Sequence, residues 1–411
     1  MPATPQRSDD ASGSRAHTAL PALTLLALAG FASRAPIIAT PPVIPLLHDD
    51  FHMTEAQVGA LIGLPLALFA LMAVPGSLLV ARLGARTTLI VGLAIAGVFS
   101  AVRSGAENIW LLYAATIVMG GGVAIMQPAL PRLVRVWLPH RIGLGTAVYT
   151  NGMVTGAALA VALTPVLLGL TSNSWRAAFV IWGCVVLMIT AAIALAAPSP
   201  PKSMATTTGS VSWWPNWRSP LPWILGFCFA GNNSTFFALH ALLPDYLSHT
   251  GSAAYVSSAL LWLNIASIIG VWLLLAAAER LLHRAWPYVV LGGAMFVGVV
   301  GFIFLDGPWI IVCSFLVGFG SSVTLGTLLA LPPLLSAPDE AHLTAAGMFT
   351  VAYTCAVIVP IVAGGLWDIT GIPQLALLLI ALCTISLIVF GVIATRLPPA
   401  NRRTLAGAPH D

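Results

Sequence analysis

Ala81-Arg82-Leu83-Gly84-Ala85-Arg86 and Glu279-Arg280-Leu281-Leu282-His283-Arg284 are two copies of one pattern, x-Arg-Leu-x-x-Arg, set 198 residues apart. Each copy follows one long apolar stretch and precedes another. The same offset carries Gly120 and Gly122 onto Gly318 and Gly320, again inside apolar stretches of matching order. Two echoes at one spacing predict an internal duplication. The stretch 197–220 lies midway along the chain and is rich in Pro, Ser and Thr, which suits a linker between the copies.

The surroundings of these motifs decide the class. Apolar residues make up 58% of the 411 and charged residues only 7%, with a mean hydropathy of +0.95. A soluble chain carries about 25% charged residues, far more than are available here to cover a water-facing surface. This excludes a soluble globular protein, a disordered chain and a nucleic-acid binder, in spite of a pI near 9.0. A bilayer-crossing helix takes about 20 apolar residues. Such stretches recur at 20–47, 55–80, 87–105, 109–130, 142–170 and 176–196, then at 221–247, 254–277, 287–305, 308–334, 340–366 and 373–396. Breaks at Pro131, Pro139, Pro220 and Pro287 help to end them, because proline is disfavoured inside helices. The expected fold is an all-α membrane protein, twelve transmembrane helices in two pseudo-symmetric six-helix bundles.

Lys and Arg set the expected orientation. With the amino terminus cytoplasmic, fourteen of the 17 fall on the inner side, only Arg103 and Arg176 on the outer, and Arg34 within a span. The net charge of +4 is thus a topology signal. The expected organisation is a cytoplasmic tail (1–17, without the pattern of a signal peptide), a first bundle (18–196), a cytoplasmic linker (197–220), a second bundle (221–396) and a cytoplasmic tail (397–411). The five cysteines all fall in apolar stretches without metal-ligand spacing, and read as small packing residues. Neither a metal nor a cofactor is expected.

Arg34 is the residue that asks for a function. It stands 14 residues into a span, where an arginine costs about 2.5–3.5 kcal/mol on insertion scales. Every Asp and Glu lies in a tail or near a span end, so no carboxylate shares its depth. A planar guanidinium fork without a counter-charge suits a planar anion, although helix carbonyls could also satisfy it. Asn151, Asn232, Asn233, Asn264 and Tyr353 lie near the middles of other spans. Each can meet a ligand or bridge helices. His240 is the histidine set inside a span, a candidate proton carrier or a neutral structural group. Gln127 lies toward the inner end of its span, as a gate or cap. Tryptophans such as Trp110, Trp175 and Trp309 collect at span ends, as interfacial anchors do.

The element around Arg82, Gly84 and Arg86 resembles the loop signature of the major facilitator superfamily, with Ala81 where that signature has an acid. The second copy keeps an acid–base pair, Glu279-Arg280, and loses the glycine. These five residues are therefore expected in the conformational loops. The runs Gly30-Phe31-Ala32-Ser33-Arg34-Ala35-Pro36 and Thr40-Pro41-Pro42-Val43-Ile44-Pro45 resemble the first helix of the cyanate transporter family, which includes 2-nitroimidazole transporters. Met126-Gln127-Pro128-Ala129-Leu130-Pro131, Arg103 and Leu243-Pro244-Asp245-Tyr246 are similar too. The resemblance implies a secondary transporter, a monomer in the inner membrane, that moves a small planar anion or polar heterocycle. Protons are a candidate coupling ion. A proton-coupled carrier of a short carboxylate, or a receptor of transporter form, is the alternative. An intramembrane enzyme is disfavoured, since no nucleophile–base pair, His-Glu-x-x-His or paired carboxylate lies at depth.

Overall fold

The computed structural model describes residues 10–53, 55–197, 214–282, 284–337 and 340–397. Fourteen helices and no strand occur among them. In the first half these are α1 (Asp10–Ile38), α2 (Ile44–Phe51), α3 (Glu55–Leu83), α4 (Ala85–Val102), α5 (Ile109–Met126), α6 (Ala129–Trp137), α7 (Ile142–Leu170) and α8 (Trp175–Ala196). In the second they are α9 (Pro220–His249), α10 (Val256–Leu281), α11 (Trp286–Phe304), α12 (Trp309–Leu335), α13 (Ala341–Thr370) and α14 (Pro373–Arg396). α1 with α2, and α5 with α6, each make up one span, which yields six spans on either side of the linker. Most of the linker, 198–213, and the tail from 398 lie outside the described residues.

Eleven of the twelve spans have the length and apolarity to cross a bilayer. The twelfth, α9, has 30 residues but carries Asn232, Asn233, Ser234, Thr235 and His240. The first four are buried against neighbouring helices, so its polarity is turned away from lipid. Large apolar side chains such as Leu71, Leu195 and Val297 are exposed on the outside of the bundle, where acyl chains would cover them.

Proline corrects two expectations. The first span is not one helix: Pro41 and Pro42 have no N–H to donate, and a single 3₁₀ turn, Pro41–Val43, separates α1 from α2. The fourth span does not stop at Pro131, because α6 restarts at Ala129 and places Pro131 in its first turn, where a missing N–H breaks no bond. Residues 10–17 of the segment expected as a tail are helical, as part of α1, and 1–9 lie outside the described residues.

The 198-residue echo is visible as packing. A Cβ on Gly120 would press on Leu68 of α3, and one on Gly122 on the Gly92 carbonyl of α4. A Cβ on Gly318 would press on the Leu263 carbonyl of α10, and one on Gly320 on Met295 of α11. Each glycine pair thus seats the fourth span of its half against the second and third. Gly84 takes φ +83° between α3 and α4, a conformation that L side chains rarely adopt, which accounts for the glycine in that loop.

The halves meet along α3 with α13 and α7 with α10, helices related by the same duplication. They close at one end. Ala341–Ala352 of α13 are almost all buried, while most of 357–370 is exposed or half-exposed. At that closed end Arg135, from α6, donates to the Pro333 and Ser336 carbonyls at the end of α12.

Candidate functional site

Arg34 lies at the middle of the span Pro21–Leu47 and is half-buried. Its Nη2 donates to the Tyr353 hydroxyl at 3.3 Å, and its Cζ stands 5.1 Å from the centre of the Phe69 ring. Phe69 and Tyr353 pack with centroids 4.9 Å apart. Phe229 stands edge-on to both Tyr353 and Phe349, at 5.9 Å in each case. Arg34 and Phe69 belong to the first half; Tyr353, Phe349 and Phe229 belong to the second. The cation and the aromatic wall beside it therefore bridge the two halves.

The guanidinium is poorly supplied with acceptors. Among the described residues no carboxylate pairs with it, and one phenolic oxygen serves a group with five N–H donors. The Phe69 ring offers its negative face, worth about 0.5–2 kcal/mol depending on solvation. Such a site can accept a ligand that brings its own negative charge or strong acceptors, in a flat shape that fits between rings.

The helix placing Arg34 is held closely to α7. Gly30, one turn before it, abuts the Tyr149 carbonyl, and Gly152 and Gly156 abut the backbone at Ala27 and Phe31. The Tyr149 side chain is buried and its hydroxyl has no hydrogen-bond partner. Two residues on, Asn151 lies one turn beyond Ala147, which packs against Leu274 and Val323 of the other half. Its Oδ1 accepts from the Thr155 hydroxyl at 3.2 Å and its Nδ2 is unpartnered. Asn233 and Gln127 are likewise buried with an unpartnered amide nitrogen.

Other expected residues fall elsewhere. Asn232 is almost wholly buried and accepts from the Thr324 hydroxyl at 2.9 Å, a tie between α9 and α12. His240 and Asn264 come together on the open-end half of α9 and on α10, with no contact to Arg34. The His240 Nδ1 faces the Phe236 carbonyl at 2.8 Å, so it is the ring nitrogen that carries hydrogen. Asn264 Nδ2 donates to the Leu260 carbonyl at 2.8 Å and meets His240 Nε2 at 3.3 Å. A neutral imidazole with its hydrogen on Nδ1 satisfies both contacts, and a second proton on Nε2 would face the Asn264 amide donor.

In the loops, Arg82 is exposed and Arg86 donates to the Ala194 carbonyl at the end of α8, at 2.7 Å. Arg280 is exposed, and the side chain of Glu279 lies outside the described residues. The sequence had singled out neither Phe69, Phe229 and Phe349 nor Tyr149, since aromatic residues in apolar spans look alike whether they pack or bind. Arg103, expected at the outer end of the third span, lies there and proves fully buried.

Comparison with known proteins agrees with this architecture. The family model of the Major Facilitator Superfamily matches residues 26–356. The 2-nitroimidazole transporter of Escherichia coli is 29% identical over 371 residues, covering 86% of this chain and 90% of its own. The cyanate transport protein CynX of Escherichia coli is 26% identical over 372 residues, covering 89% and 95%. The solved structure of the Escherichia coli fucose:proton symporter FucP superposes with a TM-score of 0.69 at 17% identity, over 90% of this chain and 98% of that one.

Proposed function

The chain belongs to the Major Facilitator Superfamily, so it is a multi-pass membrane transporter and not an enzyme, and we propose that it moves a small planar anion or polar heterocycle by alternating access. Cyanate-like and 2-nitroimidazole-like solutes are the substrate class, in keeping with the names of the two relatives. The observation that carries this reading is Arg34: a cation at mid-span, without a carboxylate, bonded to Tyr353 across the halves and faced by Phe69. Substrate binding would satisfy the fork from the acceptor side. Asn151 and Asn233, with unpartnered amide nitrogens, are proposed as further contacts, and Gln127 as a gate. Bundles 18–196 and 221–396 would rock about the site. The Lys and Arg bias supports both termini in the cytoplasm and the open end facing outward, and an inner-membrane monomer is proposed with that orientation.

Uptake into proteoliposomes tests the reading, with labelled cyanate compared with a labelled 2-nitroimidazole. Saturable flux of either, abolished in a folded Arg34→Ala protein, is the expected result; full activity in that variant would refute it. Arg34→Lys keeps the charge without the fork and should retain weak activity at most. Repeating uptake under an inward proton gradient tests His240. Stimulation by the gradient, lost in His240→Gln, is expected if that imidazole takes a proton during the cycle.

A further inference from the structure

Among the described residues Arg103 is the largest of the fully buried side chains, with no exposed surface. A guanidinium in such a place is expected to face a carboxylate, yet none pairs with it among the described residues. Its terminal nitrogens donate to uncharged groups instead, Nη2 to the Pro36 carbonyl at 2.8 Å and the Ser100 hydroxyl at 3.2 Å, and Nη1 to the Thr40 hydroxyl at 3.0 Å, while Nε is without a partner among the described residues. Its Cζ lies over the Phe179 ring of α8, 4.1 Å from the ring centre.

The partners identify the task. Pro36 has no N–H, so the Ala32 carbonyl loses the helical bond that it would otherwise receive. At the end of α1 the Thr40 N–H turns to Ile37 at 3.3 Å, which leaves the Pro36 carbonyl without a backbone donor. Pro41 and Pro42 can supply nothing further. The stretch 32–40 is thus a helix stripped of rungs on both sides of Arg34, and intrinsically loose. Arg103 supplies the missing donor, and ties that stretch to α4 and α8.

We propose that Arg103 is a positioning residue for substrate binding: it holds the proline-interrupted end of the first span and thereby fixes the register of Arg34, two residues from its Pro36 bond. The inference rests on Arg34 being the substrate contact. A residue that only stabilised the fold would alter how much protein survives, whereas a positioning residue alters how well the site is organised before the ligand arrives.

Two readouts on the full-length protein in lipid nanodiscs and proteoliposomes test this. Amide exchange over 33–40 should speed up by about tenfold in Arg103→Met and by less in Thr40→Val, with the second half of the chain unchanged. Transport of labelled cyanate or 2-nitroimidazole should show KM raised about tenfold in Arg103→Met and about threefold in Thr40→Val, with maximal rate per inserted protein near native. Arg103→Lys, which keeps the charge but not the fork that reaches Pro36, Ser100 and Thr40 together, should recover part of the loss. Unchanged exchange over 33–40, or an unchanged KM beside a lowered unfolding temperature, would overturn the proposal. If the native protein moves neither compound, the substrate reading fails on its own. The exchange readout then decides alone, local acceleration supporting the hold on the first span and its absence refuting it.

Discussion

Around Arg34 each neighbour contributes a separable part. Tyr353→Phe removes the hydroxyl that accepts from Nη2 but keeps the ring packed on Phe69, so binding should weaken by about 0.5–1.5 kcal/mol, the usual worth of one hydrogen bond. Phe69→Leu keeps bulk and removes the ring's negative face, a loss of about 0.5–2 kcal/mol. Competition binding or KM checks both, and a double variant that loses no more than either single one would show that the ring and the hydroxyl act as a unit. Arg34 was legible in the sequence because one charge in a long apolar run stands out on composition alone. Phe69, Phe229 and Phe349 were not, since a phenylalanine in a span has the same signature whether it meets lipid, a helix or a ligand. Arg103 lies at the outer end of the third span, as expected. A cation there has the same signature in sequence whether it is exposed or enclosed, and only tertiary packing shows that Pro36 and Thr40 enclose it.

At the scale of the element, glycines set how closely the helices approach. Gly152→Ala would place a methyl on the Ala27 carbonyl and push α7 from α1. The cost expected for such overpacking is about 1–3 kcal/mol, read as a lower unfolding temperature in detergent. Gly63→Ala, where a Cβ meets open space, should leave that temperature unchanged. The spans could be read from apolar length because each must cross the same thickness of hydrocarbon. The break after Ile38 and the restart at Ala129 could not be placed so easily. A proline removes one donor wherever it stands, and whether the helix stops there or begins there depends on which neighbours satisfy the freed carbonyl. Pro131 was taken as an end and turned out to lie in a first turn.

For the whole molecule, two halves followed from the offset that joins Arg82 with Arg280, and the glycine pairs on α5 and α12 seat equivalent helices in each half. Which end is shut was not legible, because one sequence must support both the closed and the open arrangement of a carrier, and their balance depends on small differences between interfaces. Arg135 contributes to that balance here, as a cation at the negative end of the α12 dipole. Arg135→Ala should loosen the closed end. A cysteine introduced at Thr344, buried there against Ser336, should then react several-fold faster with a maleimide, and an unchanged rate would assign the closure to the apolar packing of α3 on α13 instead.

The lone cation at the middle of the first span also has an electrical consequence. An arginine that no carboxylate neutralises leaves the empty carrier with one positive charge at depth, while a carrier holding a monovalent anion is neutral there. Membrane voltage, which acts on charge moved through the field at about 2.3 kcal/mol per elementary charge per 100 mV, would then bear on the return of the empty protein and hardly on the loaded step. Net flux should respond to voltage, and one-for-one exchange of labelled for unlabelled substrate should not.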